Sequence, residues 1–331
     1  MSQNQKTHRD PIALPHGSAA ELRLLTGHRF ACSLSIPANM CWIGSPALVA
    51  PAVTEATVND LKISVSSLFR LSSDMASWYD HPQYFDMVFR DETAAEVHFF
   101  EQAFSRFGEG RICRLLEPGC GSGRLVAGMA ARGYDLTGVD LSQPMLDYLA
   151  RRLRRRGLKA DLRCQDMTAM RFEHDFDAAF CTFNTFRHLT DEQAALNHLR
   201  NVASLLRPGG LYILGFHLIP MDADPECTER WTAKHGGTTV HVTLKVIDFD
   251  RKTRREMLRV SVKAVKKSGE IERIRSEFPL RIYTPAQAKK LLGKVGDLYE
   301  IAGIYDFDYD IDEEREFDND LTDALFVLKR R

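Results

Sequence analysis

A chain of 331 residues, 44% of them hydrophobic and 27% charged, carries enough apolar material for one large domain or two smaller ones. Its formal net charge of -1 supplies no global field to draw it to nucleic acid or to an anionic membrane. Seven cysteines without CxxC or zinc-type spacing point to reduced thiols in a cytoplasmic protein without a metal site.

The first 74 residues interleave Pro, Ser, Ala and Thr with isolated apolar residues and keep no period, which predicts a disordered or loosely packed extension. Its most apolar stretch, ACSLSIPANMCWIGSPALVAPAV (31–53), is broken by Pro37, Asn39, Pro46 and Pro51 and could not cross a bilayer as one helix. A start at Met40 or Met75 is the alternative reading of this segment. From Trp78 the aromatic-rich WYDHPQYFDMVFRDETAAEVHFFEQAF predicts one or two helices leading into a core.

Strand and helix patterns then alternate. ICRLLE (112–117) reads as a buried strand and RLVAGMAARG (124–133) as a helix stopped by Gly133. YDLTGVDL (134–141) reads as a strand, and SQPMLDYLARRLRRRG (142–157) as a helix capped by Ser142 and ended by Gly157. KADLRCQ (159–165) and FDAAFCTF (176–183) are the next strands. TDEQAALNHLRNVASLLRPGG (190–210) is a helix opened by a Thr190–Gln193 capping box, and LYILGFHL (211–218) is the fifth strand. Such alternation predicts a doubly wound, mostly parallel sheet, seven-stranded with the chain's last two strands. Between residues 219 and 283 the period switches to two, which predicts an inserted antiparallel unit of three strands starting at TVHVTLKVIDFD. A helix, TPAQAKKLLGKVG, and two strands, YEIAGIYDF and DALFVLKRR, complete the core over 284–331, which begins at about residue 75.

The loop EPGCGSG follows the first strand, where an open parallel sheet binds ligands. A pyrophosphate-binding turn would need G-x-G-x-x-G. Counting from Gly119 or from Gly121 instead meets Arg124 or Val126 at the last position. Glu117 would repel a pyrophosphate and attract an amine. Asp140 ends the next strand at the spacing of a ribose-binding acid, and Asp166 ends the one after. Acids at three successive strand ends describe a nucleoside that carries an amine and no phosphate.

With EPGCGSG, VDLS, QDM, FDAAFCTFNTFRHL and LLRPGGLYIL in this order, the segment 112–218 resembles a class I S-adenosylmethionine-dependent methyltransferase of the small-molecule group. The resemblance is weaker through 219–330 and absent from the first 74 residues. It implies a Rossmann-like fold whose antiparallel insertion is a substrate lid, and S-adenosylmethionine as cofactor. Glu117 would anchor the methionine amino group, and Gly119, Cys120, Gly121 and Gly123 would run against the cofactor. Asp140 would hold the ribose, with Leu141 and Met145 beside the adenine, and Gln165, Asp166 and Met167 would bind the adenine edge and face. Cys181, Thr182 and Phe183 would line the sulfonium, and Tyr79 or Tyr84 would close over the carboxylate end.

Methyl transfer needs alignment and at times a base. His188 is the preferred candidate and His217 the second, with Arg281 and Tyr283 as contributors to the acceptor pocket. The expected acceptor is the nitrogen or oxygen of a small molecule, nitrogen preferred because FNTFRHL resembles the matching stretch of sugar-amine N-methyltransferases. Nucleic acid is disfavoured, since CTFN lacks the Pro-Pro-aromatic signature of base-amine methylation. The alternatives are a nicotinamide-dependent oxidoreductase, which the missing third glycine and Glu117 oppose, and a non-catalytic S-adenosylmethionine-binding protein. RRLRRRG (151–157) reads as a solvated helix end, and DFDYDIDEE (306–314) as a strand with acids facing solvent, because it lacks the Gly and Glu of a calcium loop.

Overall fold

The computed structural model describes residues 77–224 and 226–331, so the expected extension over 1–74 and its alternative starts lie outside the described residues. Five strands follow one another in parallel: β1 (Arg114–Pro118), β2 (Asp135–Asp140), β3 (Asp161–Cys164), β4 (Phe176–Cys181) and β5 (Leu206–His217). With β10 (Tyr299–Tyr305) and β11 (Asp323–Arg330) they form a seven-stranded sheet of order β10-β11-β5-β4-β1-β2-β3. The sheet is mixed, because β11 runs antiparallel to both neighbours. Chain order reverses beside β1, which places the ligand crevice over the C-terminal ends of β1 and β4.

Alternating side chains explain why helices cover both faces. Leu115, Ala178, Phe180, Leu211, Ile213 and Val327 pack against α2 (Thr93–Phe107), α3 (Arg124–Ala130) and α4 (Gln143–Arg155). Their sequence neighbours Leu116, Ala179, Tyr212, Leu214 and Leu328 pack against α5 (Glu192–Leu205) and α6 (Pro285–Gly293). Ser142 caps α4 as expected, accepting from the Met145 amide at 3.4 Å, and Gly157 follows it at a φ of 65°. The cap of α5 is Asp191, one residue later than the predicted Thr190, accepting from the Ala194 amide at 2.8 Å. That helix ends at Leu205, and the Pro-Gly-Gly turn already belongs to β5.

The insertion folds as a separate antiparallel sheet of four strands in the order β6 (Thr228–His235), β7 (Thr238–Asp250), β8 (Arg255–Val265) and β9 (Ile271–Arg281). β6 was not anticipated, because TERWTAKH puts only Trp231 and Ala233 on its apolar side. The inner face of this sheet, with Val240, Val242, Val260, Val262 and Ile274, packs on Trp78, Tyr84 and Met87. Those residues belong to the segment that enters α1 (Pro82–Phe89). The Trp78 amide donates to Ser276 Oγ at 3.1 Å and Tyr84 to Glu272 at 2.6 Å. On its other side α1 presents buried Asp86, which accepts from Arg90 at 2.8 Å, Tyr148 at 3.1 Å and Arg152. Arg152 therefore departs from the solvated helix end expected of its run. Residues 306–314 are a further correction: they lie in turns between β10 and β11 and form no strand.

A second bond fastens the insertion to the core. Arg187, after β4, is 3% exposed and paired with Glu256 of β8, 5% exposed, while its Nε donates to the Arg281 carbonyl at 2.8 Å. Removing one partner of such a pair strands the other charge in the interior. Urea unfolding of Glu256→Ala is expected to show a loss of about 3–5 kcal/mol, much of it recovered in the apolar double variant Arg187→Met/Glu256→Leu. A single-variant loss under about 1 kcal/mol would show that this pair does not fasten the insertion.

Candidate functional site

At the C-terminal end of β1 the backbone passes through Gly119, Gly121 and Gly123 at φ of 70°, 52° and 70°, a region that other residues enter at a cost of about 1–2 kcal/mol each. A side chain at Gly123 would run into Leu149 of α4, whereas one at Gly121 would point into open space. Gly121 thus bares its backbone toward the crevice. The loop is held from β2: Cys120 donates to the Val139 carbonyl at 2.9 Å and Gly121 to Asp140 Oδ2 at 2.7 Å. Asp140 Oδ1 accepts the Ser142 amide at 2.8 Å. The candidate ribose acid therefore also splints the glycine loop, a role its spacing did not reveal. Burial raises its pKa, and the amides of Ser142, Gly121 and Leu141 act against that rise.

Glu117 is 7% exposed and its Oε2 has no hydrogen-bond partner among the described residues. Burial pushes its pKa well above the usual carboxylate range; Arg124 and a hydrogen bond with the Val126 backbone oppose this, while Glu96 and Asp140 add to it. Arg124 is already committed, since it is paired with fully buried Glu96 and its guanidinium lies 4.9 Å from the centre of the Phe183 ring. Thr182 donates to the same Glu96 at 2.9 Å. Two buried acids thus share one buried base, which leaves the Glu117 carboxyl without a counterion at the glycine loop.

Further along the crevice the residues divide. Leu141 is 70% exposed, an apolar side chain on open surface next to Asp140. Asp166 is exposed, with Oδ1 accepting the Thr168 amide at 2.8 Å. Met167 is half-buried against the core. Gln165 turns back to accept the Arg171 amide at 3.0 Å, and Met145 is 1% exposed, beneath the surface. Cys181 is buried, and that burial pushes its thiol up to about 12.

Beyond β4 the chain takes two consecutive left-handed residues, Phe183 at φ 61° and Asn184 at φ 66°. Such strain persists only where neighbours enforce it. Asn184 Oδ1 accepts the His217 amide at 3.0 Å and Arg187 Nη1 at 3.4 Å, tying the ends of β4 and β5 together. His188, next in this turn, has Nε2 3.0 Å from the Tyr79 hydroxyl, and its ring packs on Tyr79 and Phe278 at 5.8 and 5.3 Å. Solvent reaches it, but crowding protein and the Arg187 charge lower its pKa to about 4, so the ring is neutral at physiological pH. Burial and the charge of Asp140 raise the pKa of Tyr79.

The remaining candidates sit apart from Tyr79 and His188. His217 Nδ1 lies 2.5 Å from Asp323, its cross-strand partner on β11, and Tyr84 binds Glu272 under the second sheet. Arg281 donates to the Thr190 carbonyl at 2.9 Å, and Tyr283 is fully buried and stacked on Phe186. Sequence reasoning missed Asn184 and the half-buried rings Phe85, Phe89, Trp231 and Phe278, which form a chain of contacts beside Phe183 and Tyr79. The aromatic density from Trp78 onward was the only signal for Phe85 and Phe89, and nothing in the sequence marked the other three.

The state of Glu117 has a measurable consequence. Its folded pKa lies above the unfolded value of about 4.3. Its contribution to stability is thus fully present below that pH and lost as pH rises through the folded value. Glu117→Gln should raise the melting temperature of the ligand-free protein at pH 7 by about 2–4 °C, the effect of about 1 kcal/mol in a domain this size. The gain should vanish near pH 4; a variant that melts lower at pH 7 would mean that the carboxylate is satisfied.

Residues 115–210 match a family model described as a methyltransferase domain. A ubiquinone biosynthesis O-methyltransferase of Dechloromonas aromatica (strain RCB) is 31% identical over 139 residues, which covers 41% of this chain and 56% of that protein. The chain spans about half the length of the curated relatives it matches. Among solved structures, an S-adenosylmethionine-dependent methyltransferase from Clostridium acetobutylicum superposes with a TM-score of 0.62 at 18% identity, covering 74% of this chain and 95% of that one. An amino pentose methyltransferase from Micromonospora echinaspora, solved with S-adenosylmethionine bound, gives 0.56 at 19% identity over 83% of this chain and all of its own. These two speak for the fold. Residues 115–210 thus match a methyltransferase domain, and the strand order and the acid-flanked glycine loop agree with the fold of these S-adenosylmethionine-dependent enzymes.

Proposed function

We propose that the chain transfers a methyl group from S-adenosylmethionine to the nitrogen or oxygen of a small-molecule acceptor. The observation that carries this reading is the buried, unpaired Oε2 of Glu117 beside a glycine loop whose Gly121 is bare toward open space. A cationic amine there would supply the missing counterion, whereas a pyrophosphate would be repelled. When bound, the cofactor supplies an electrophilic methyl group on a sulfonium. Glu117 would hold its amino group, Asp140 its ribose hydroxyls, and Leu141, Asp166 and Met167 its adenine. Thr182 and Phe183 would border the sulfonium end, and Tyr79 would lie across it.

His188 is proposed as the proton acceptor: it is neutral at physiological pH, open to solvent, and held by Tyr79 at the mouth of β4. His217, bound to Asp323, is assigned to orienting the strand ends. The second sheet would act as the lid, with Phe85, Phe89, Trp231 and Phe278 as apolar walls of the acceptor space. Nitrogen remains the preferred acceptor atom, because FNTFRHL resembles the matching stretch of sugar-amine N-methyltransferases, and the amino pentose enzyme shares the fold.

Three outcomes follow. Asp140→Ala should weaken S-adenosylhomocysteine binding about 10–100-fold through loss of charged hydrogen bonds and of the loop splint. His188→Gln should lower the methyl-transfer rate about 100-fold while leaving that affinity within about twofold. With His188 already neutral, the rate should show no imidazole limb between about pH 5 and 8, and its pH dependence there should follow the acceptor's own pKa. The direct test incubates the protein with methyl-labelled S-adenosylmethionine and amino sugars, aliphatic amines and phenols. Labelled product supports the reading; intact cofactor binding with no transfer to any of them contradicts it.

A further inference from the structure

The charged side chains on the outer face of the second sheet are almost all cations. Register places Arg230, Thr243, Ser261 and Arg275 in one row, Thr232, His241, Lys263 and Arg273 in the next, and Thr228, Lys245, Arg259 and Glu277 in a third. Lys234 joins from the row of Thr239, Val265 and Ile271. Seven cations therefore share this face with one acid, Glu277, which lies 2.6 Å from Arg259 and 3.7 Å from Arg275. Arg230, Lys234, Lys245, Lys263 and Arg273 are exposed and make no ion pair among the described residues. At strand spacings of about 4.8 Å and residue rises of about 3.3 Å the four rows cover roughly 14 by 20 Å. The Debye length at 0.1 M salt is about 10 Å, so the patch acts as one multivalent cation.

The same chain carries the matching anion. Residues 306–320, DFDYDIDEEREFDND, hold nine acids against Arg315. Asp306 is taken by Arg315 and Asp312 by Arg106, while Asp308, Asp310, Glu313, Glu314, Glu316, Asp318 and Asp320 are exposed without an ion pair among the described residues. Buried Ile311 and Leu321 and half-buried Phe317 pin the loop to the core, so its acids are presented from a fixed backbone. No acid of the loop is paired with a cation of the sheet face within the molecule. The charge of -1 thus conceals two separated patches of opposite sign.

We infer that the basic sheet face docks on the acidic loop of a second copy of this chain. This goes beyond methyl transfer and does not depend on it. Charge complementarity selects the occupant. The face presents no exposed aromatic ring for nucleic-acid bases to stack on, and the preceding 76 residues contain no acidic run that could cover it. Two copies related by a twofold axis would make the contact twice and close the pair. The docked face would lie beside the site's edge, because Phe307 of the loop packs on His217 at 5.2 Å and on Tyr309 at 6.0 Å.

Sedimentation of the full chain tests the inference. At about 0.02 M salt the average mass should rise to at least twice the 37.6 kDa of one chain, and it should fall back to the single chain near 0.5 M, where screening is short-ranged. A monomer at low salt overturns the inference on the wild type alone. Arg230→Glu/Lys263→Glu/Arg273→Glu and Glu313→Arg/Glu314→Arg/Glu316→Arg change exposed side chains only, and each should be monomeric by itself. Mixed, they should pair, because the acidified face of one then meets the basic loop of the other. Association that survives either triple change, or folded variants that do not pair when mixed, would overturn it.

Discussion

Glu117 holds a carboxylate where solvent reaches 7% of the residue, and Arg124, the guanidinium that offsets its charge, is already paired with Glu96. An unpaired buried charge costs several kcal/mol unless it is protonated or meets a counterion. The surrounding architecture keeps it there. Strand β1 ends on it, the left-handed glycines turn the backbone away without adding a side chain, and Asp140 clamps the turn from the neighbouring strand. The site therefore holds a buried acid with no counterion of its own before any ligand arrives, and its chemistry would favour a cation whose other end offers hydroxyls to Asp140.

The second dependence runs through the segment from Ser77 to Phe89. One side of it packs into the antiparallel sheet through Trp78 and Tyr84, and the other reaches α4 through Asp86. Tyr79, between these attachments, reaches His188 at the end of β4. Arg187 of the same turn is buried against Glu256 of the sheet. Sheet, leading segment and strand ends are thus mechanically joined around the crevice. Groups that would position the acceptor cannot move far without disturbing buried charge.

What was legible in the sequence is what short-range pattern encodes. Short strand-like runs announced β1, β2 and β4, the glycines announced the turn, and Ser142 announced its helix, because each depends on neighbours in the chain. Asp140 was found by spacing, yet its grip on Gly121 across 19 residues was not visible. Asn184 gave no local sign that it adopts a left-handed conformation or that it would receive the His217 amide, because the bond forms only once β4 and β5 lie side by side. The pairing of Arg187 with Glu256 spans 69 residues and two sheets. β6 escaped because an edge strand buries only two apolar side chains, and Tyr84 was misdirected toward the cofactor because nothing local points to Glu272. The acidic run at 306–314 alternated like a strand, but turns closed by its own aspartates took the backbone instead.

The central claim, that Glu117 awaits a cation, is most directly tested by calorimetric titration with S-adenosylhomocysteine at pH 7, beside NADH, in buffers of different ionisation enthalpy. The account predicts that S-adenosylhomocysteine binds, that NADH does not, and that binding releases protons as Glu117 ionises against the ligand amine, a release absent from Glu117→Gln. Binding of NADH instead, or binding of S-adenosylhomocysteine with no proton release that depends on Glu117, would contradict it.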